Sequence, residues 1–182
     1  GWTVAPALPD NTQYWWRARA KDAIANSQWT SAGSFVVNLV NDAPATPAVN
    51  APTNNMQIAV LTPDLSVSNA SDADVNDVLV YDFEVSLDSG YSTIVTSVTG
   101  TTQGAGGITS WAVPIDLNDN TLYYWRARVR DSSNAASGWI TAAFTVNTAN
   151  EAPSVPVMTF PAAGSETLTT APLLTVQNSV DP

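Results

Sequence analysis

Oxygen ligands crowd one short stretch of this chain: Ser71-Asp72-Ala73-Asp74-Val75-Asn76-Asp77 sets three carboxylates within six residues. Alternating Asp and Asn oxygens at that spacing suit Ca²⁺, which collects about 6–8 oxygen ligands. Asp42, in Asn41-Asp42-Ala43-Pro44, offers a fourth carboxylate, and this stretch returns as Asn150-Glu151-Ala152-Pro153. The candidate metal ligands are therefore Asp42, Asp72, Asp74 and Asp77, with Ca²⁺ as the candidate ion. The loop is no EF-hand, since the central Gly and the distal bidentate Glu are missing. The plainer reading is that Asp and Asn favour turns and that these acids are simply solvated.

The basic residues form the second constellation. All six fall in two short runs, Arg17, Arg19, Lys21 and Arg126, Arg128, Arg130. Spacing by two puts each set on one face of a strand, a face shared with Trp15 and Tyr124. Downstream lie Ser27-Gln28-Trp29 and Ser137-Gly138-Trp139, where a neighbouring strand would begin. Guanidinium groups stacked on Trp29 and Trp139 would form a ladder, each contact contributing ~0.5–1 kcal/mol. Asp82 and Glu84 are placed to neutralise it from the next strand. The alternative use of Arg17, Arg19, Trp29, Arg126, Arg128 and Trp139 is a partner surface, an aromatic platform for anionic glycan.

Other chemistry is thinly supplied. The chain has no His and no Cys, so the usual general bases, thiol nucleophiles and zinc ligands are missing. Ser is plentiful, but a Ser nucleophile needs a base, and Lys21 is the only Lys. Sixteen Asp and Glu against six Lys and Arg give a net charge of −10, which repels nucleic acid and anionic lipid alike. No apolar run approaches the ~20 residues that span a bilayer. The expectation is a non-enzyme with no nucleic-acid partner and no membrane insertion.

The elements that would hold these residues repeat. Residues 2–22 match residues 111–131 at an offset of 109, with Trp2, Leu8, Asp10, Asn11, Thr12, Tyr14, Trp16, Arg17, Arg19 and Asp22 all returning. The same offset carries Phe35 onto Phe144, Pro52 onto Pro161, Val67 onto Val176 and Asp72 onto Asp181. Self-similarity at one register across the chain implies a tandem array. Residues 1–42 read as the back of one repeat, 43–151 as a complete repeat, and 152–182 as the front of a third. A chain divided this way is expected to be an excerpt of a longer array. Trp16, Phe35, Leu168, Leu174 and Val176 are then expected to be covered by neighbouring repeats or by identical chains joined head to tail, which would build a filament.

Within the repeat, Leu79, Tyr81, Phe83, Val85 and Leu87 alternate with Val80, Asp82, Glu84 and Ser86, and Tyr123, Trp125, Ala127 and Val129 alternate with Tyr124 and the arginines. Period two marks half-buried strands. About seven such strands in about a hundred residues predict an antiparallel sandwich, with Tyr81, Phe83, Val85, Trp125, Ala127 and Val146 pointing inward.

The stretch Leu117-Asn-Asp-Asn-Thr-Leu-Tyr123-Tyr-Trp125-Arg-Ala127 resembles the corner between the fifth and sixth strands of fibronectin type III domains, and Leu8 and Tyr14 repeat it. The resemblance covers the complete unit and both flanking pieces, and implies all-β, immunoglobulin-like tandem sandwiches of 109 residues. Where that family has a buried Trp on its second strand, Asn69 stands here, so Trp111 and Trp125 are expected to fill the volume. The Asn41-Asp42-Ala43-Pro44 linker is similar to that of cadherin-like repeats, where a carboxylate helps hold calcium between domains. Bacterial arrays of this kind resemble parts of large surface proteins and of secreted enzymes. The resemblance thus implies an extracellular or cell-surface spacer or adhesion module. The alternative is an accessory module, touching glycan, of a secreted polysaccharide-degrading enzyme.

Overall fold

A computed structural model of the chain describes residues 1–149 and 151–181; Asn150 of the second linker lies outside them. The described residues form strands and loops without an α-helix, and no helix is long and apolar enough to cross a membrane. A first hairpin pairs β1 (Thr12–Trp16) with β2 (Gly33–Val37). One three-stranded sheet runs in the order β3 (Ala48–Ala51), β5 (Asp64–Ser68), β8 (Ile108–Ala112). The other holds β4 (Met56–Ile58), β6 (Val80–Ser86), β7 (Ile94–Thr102), β9 (Thr121–Arg130) and β10 (Ile140–Val146), in the order β4-β10-β9-β6-β7. Last, β11 (Val157–Phe160) pairs with β12 (Thr175–Gln177). Strands β3 to β10 form an immunoglobulin-like β-sandwich, with three strands facing five.

The sandwich carries eight strands among the described residues, one more than the sequence predicts, and they are not all antiparallel: β4 runs parallel to β10. The cause is local. Pro52 supplies no N–H to continue the β3 ladder, and Asn55 turns the chain at a φ of 65°. The first strand therefore crosses to the edge of the opposite sheet, where Met56–Ile58 joins β10.

The two inner faces meet as the alternation requires. Tyr81, Phe83, Val85, Trp125, Ala127 and Val146 are all fully buried, and Leu65 and Val67 face them from the three-stranded sheet. Burying a large apolar side chain stabilises by roughly 1.5–3 kcal/mol, so this cluster is the main force holding the sheets together. Trp125 fills the centre, its indole N–H donating to the carbonyl of Pro52 at 3.1 Å. Phe83 sits against Trp125 and Trp111 at ring-centre distances of 6.4 and 6.1 Å, while Asn69 reaches β8 through Thr109. Leu87 departs from the alternation: β6 ends at Ser86, and Leu87 is left exposed.

Pairings 109 residues apart coincide. Thr12↔Val37 and Tyr14↔Phe35 in β1–β2 correspond to Thr121↔Val146 and Tyr123↔Phe144 in β9–β10. Val157↔Gln177, Met158↔Val176 and Phe160↔Thr175 in β11–β12 correspond to Ala48↔Ser68, Val49↔Val67 and Ala51↔Ser66 in β3–β5, with the register shift at the same place. Exposure differs: Trp125 and Phe144 are fully buried, whereas Trp16 is 59% and Phe35 40% exposed, and Leu168, Leu174 and Val176 also lie open.

At the far edge of the larger sheet, β7 pairs only with β6, through two register shifts. One of them surrounds Asp82, whose carboxylate accepts the N–H of Gly100 at 3.1 Å.

Candidate metal centre and the arginine face

The loop between β5 and β6 and the loop between β9 and β10 reach the same end of the sandwich, where the linker enters. The N–H of Ala45 donates to the carbonyl of Ser71 at 2.9 Å and fastens the linker to the first loop. One carboxylate oxygen each from Asp72, Asp77 and Asp131 lies within 4.8 Å of the other two. Local hydrogen bonds aim them. Asp72 Oδ1 accepts the N–H of Asp74 at 3.0 Å, and Asp77 Oδ1 accepts the hydroxyl of Ser132 at 2.9 Å. Asp131 Oδ1 accepts the N–H of Ala135 at 2.8 Å, and its Oδ2 accepts Asn41 Nδ2 at 2.7 Å.

The remaining oxygens are orphaned. Asp72 Oδ2, Asp77 Oδ2 and Asp74 Oδ1 are buried without a hydrogen-bond partner. Among the described residues no Lys or Arg pairs with any of these four acids. Like charges within 4.8 Å repel by at least about 3 kcal/mol per pair at an effective dielectric near 20.

Of the four acids singled out in the sequence, Asp72 and Asp77 come together. Asp74 stands behind them, 4% exposed, with Oδ2 accepting the N–H of Asp42 at 2.7 Å. The Asp42 side chain faces the other way and accepts Asn11 Nδ2 at 2.7 Å. Glu151 repeats that contact with Asn120 at 3.3 Å. Asp131 completes the cluster and was not singled out. A signal for it existed, since Asp131 is the 109-residue counterpart of Asp22. The Asn41 contact to Asp131 had no such signal.

The arginine face lies on the outer side of the larger sheet. Directly opposite Arg128 and Arg126 in the ladder are Asp82 and Glu84. Asp82 takes Arg128 Nε at 3.0 Å and Arg130 Nη2 at 2.8 Å; Glu84 takes Arg126 Nη2 at 2.6 Å. Burial alone would raise the Asp82 carboxyl. The hydrogen bonds from Arg130, Arg128 and Gly100 outweigh it and hold the group below the usual carboxylate range. Asp82 in turn raises Arg130 above its ordinary value.

Aromatic rings complete the ladder. The Arg126 guanidinium lies between Trp139 and Tyr91, 4.2 and 4.4 Å from their ring centres, and Arg128 also covers Trp139 at 4.6 Å. Burial pushes the Tyr91 hydroxyl up to about 12, and it donates to the carbonyl of Trp125 at 2.9 Å. Tyr91 is a member that the sequence pattern did not reveal, because it sits in a turn with φ 56° and not on a strand. In the first hairpin, Arg17 and Arg19 cover Trp29 at 4.5 and 4.7 Å, and Trp15 beside them is 67% exposed. No acid among the described residues pairs with Arg17, Arg19 or Lys21.

No family model matches the chain, and no curated protein matches it either. Among solved structures it is similar to the fibronectin(III)-like modules of Clostridium thermocellum CbhA, at 18% identity and a TM-score of 0.35, over 56% of this chain and 96% of that one. It is also similar to the chicken CNTN1 FN1–FN3 domains, at 12% identity and a TM-score of 0.44, over 82% of this chain and 48% of that one. A third similar structure is the alpha-L-rhamnosidase of Dictyoglumus thermophilum, at 15% identity and a TM-score of 0.44. There the match covers 69% of this chain and 16% of that one.

Proposed function

We propose that this chain is a non-catalytic spacer from a repetitive extracellular or cell-surface protein. The observation that carries the reading is the coincidence of strand registers 109 residues apart, Tyr14↔Phe35 with Tyr123↔Phe144 and Met158↔Val176 with Val49↔Val67. The junction contacts recur with them. Asn11 holds Asp42 and Asn120 holds Glu151, so the corner of each unit grips the linker that follows it. Short Pro-containing linkers held in this way make a semi-rigid array, in which each unit touches only its neighbours. Trp16, Phe35 and Val176 then take their cover from neighbouring repeats or from an identical chain placed head to tail. Adhesion or filament formation is the role such an array would serve.

Catalysis finds little support, because no His or Cys exists to act as base or nucleophile and Arg126, Arg128 and Arg130 are neutralised within their own sheet. A second reading, an accessory module contacting glycan, draws on the open Trp15 beside Arg17.

Tandem copies of residues 43–151 test the first reading by small-angle X-ray scattering. Each added copy is expected to lengthen the particle by a constant increment. A maximum dimension that grows as a freely jointed chain removes the spacer reading. Retention on polysaccharide, lost on Trp15→Ala, supports the second.

A further inference from the structure

We propose that Asp72, Asp77 and Asp131 form a divalent-cation site, filled by Ca²⁺, that locks the incoming linker to the sandwich. Two independent observations carry it. The first is the convergence of three carboxylates from two loops within 4.8 Å. Ligands on opposite sides of a Ca²⁺ ion, each ~2.3–2.6 Å from it, are separated by about that distance. The second is the set of oxygens with no partner. Asp74, 4% exposed, buries an unpaired Oδ1 in the same loop, and Asp72 Oδ2 and Asp77 Oδ2 are likewise buried and unpaired. Buried polar atoms are normally satisfied, and a solvated turn would leave these oxygens in water. Their burial beside like charges, with no Lys or Arg among the described residues to balance them, calls for a cation.

The donor set selects the ion. With no His or Cys in the chain, only oxygen donors are at hand, which suits a hard cation and not zinc or copper. Ca²⁺ tolerates irregular ligand geometry, whereas Mg²⁺ demands a near-ideal octahedron.

The linker is tied to both sides of the site. Asn41 Nδ2 holds Asp131 Oδ2, and the N–H of Asp42 donates to Asp74. Neutralising the carboxylates therefore fixes the two loops and the linker together. Ion binding becomes a control on how stiffly the sandwich is joined to the segment before it.

The full chain, stripped with EDTA and titrated with CaCl₂, tests this by calorimetry and thermal unfolding. Saturable 1:1 binding is expected, with the midpoint raised by about 5–10 °C at roughly a hundredfold excess over Kd. Proteolysis within 41–47 is expected to slow. Asp77→Asn and Asp72→Asn each keep the oxygen that makes the local hydrogen bond, to Ser132 and to the N–H of Asp74. Both are expected to abolish the Ca²⁺ response, and to melt no lower than the parent when both are free of metal, because a crowded charge has been removed. Asp64→Asn, at an exposed acid away from the site, is expected to bind as the parent does. Identical melting in CaCl₂ and EDTA overturns the proposal. So does Ca²⁺ binding that survives in both Asp77→Asn and Asp72→Asn.

Discussion

The hydroxyl of Tyr123 accepts the backbone N–H of Asn118 at 2.9 Å, fastening the loop before β9 to the strand's first inward side chain. Leu117, 2% exposed, packs beneath the same corner. Removing the hydroxyl leaves a partly buried N–H without an acceptor, at a cost of ~1–2 kcal/mol. Tyr123→Phe is therefore expected to lower stability by that amount in urea unfolding, with an unchanged denaturant slope. A loss of a few tenths or less would mean that water replaces the hydroxyl.

Asp82 makes stability depend on acid. Its folded-state pKa lies below its ordinary value, so the unfolded chain binds more protons than the folded one. The stabilisation is fully present above about pH 4 and is lost as pH falls through the folded value. The guanidinium partners are 23% and 34% exposed, so removing the charge is expected to cost about 2–3 kcal/mol, below the figure for fully buried pairs. Asp82→Asn is thus less stable at neutral pH and loses less on acidification. Parallel acid profiles for parent and variant would show that the Asp82 charge is not what the acid titrates.

Trp139 separates the two uses of the arginine face. As a stacking platform for Arg126 and Arg128 it contributes two contacts, each ~0.5–1 kcal/mol. Trp139→Ala is expected to destabilise by at least 1–2 kcal/mol, and Trp139→Phe by less. If the residue serves a glycan, the alanine variant instead loses retention on polysaccharide at unchanged stability.

Period-two alternation was enough to place Tyr81, Phe83, Val85, Trp125, Ala127 and Val146 inside. It also put Asp82 on the outer face, but gave no sign of its burial to 1% exposure, because Arg128 and Arg130 lie across it and alternation carries no information about a long side chain covering its neighbour. The parallel strand β4 is three residues long, too short to show a period. Asp131 could have been paired with Asp22 by the repeat alone. Its meeting with Asp72 and Asp77 depends on two loops brought together by the sandwich, a relation between distant segments that no local pattern encodes.

The two register shifts along β7 matter beyond this one unit. A nine-residue edge strand with free N–H and C=O groups is a template for another chain. Bulges twist such an edge out of line, and here one of them turns the Gly100 N–H inward onto Asp82. A strand arriving from a neighbouring molecule meets a broken row of donors. Copies of this sandwich at high local concentration are thereby kept from zipping together edge to edge.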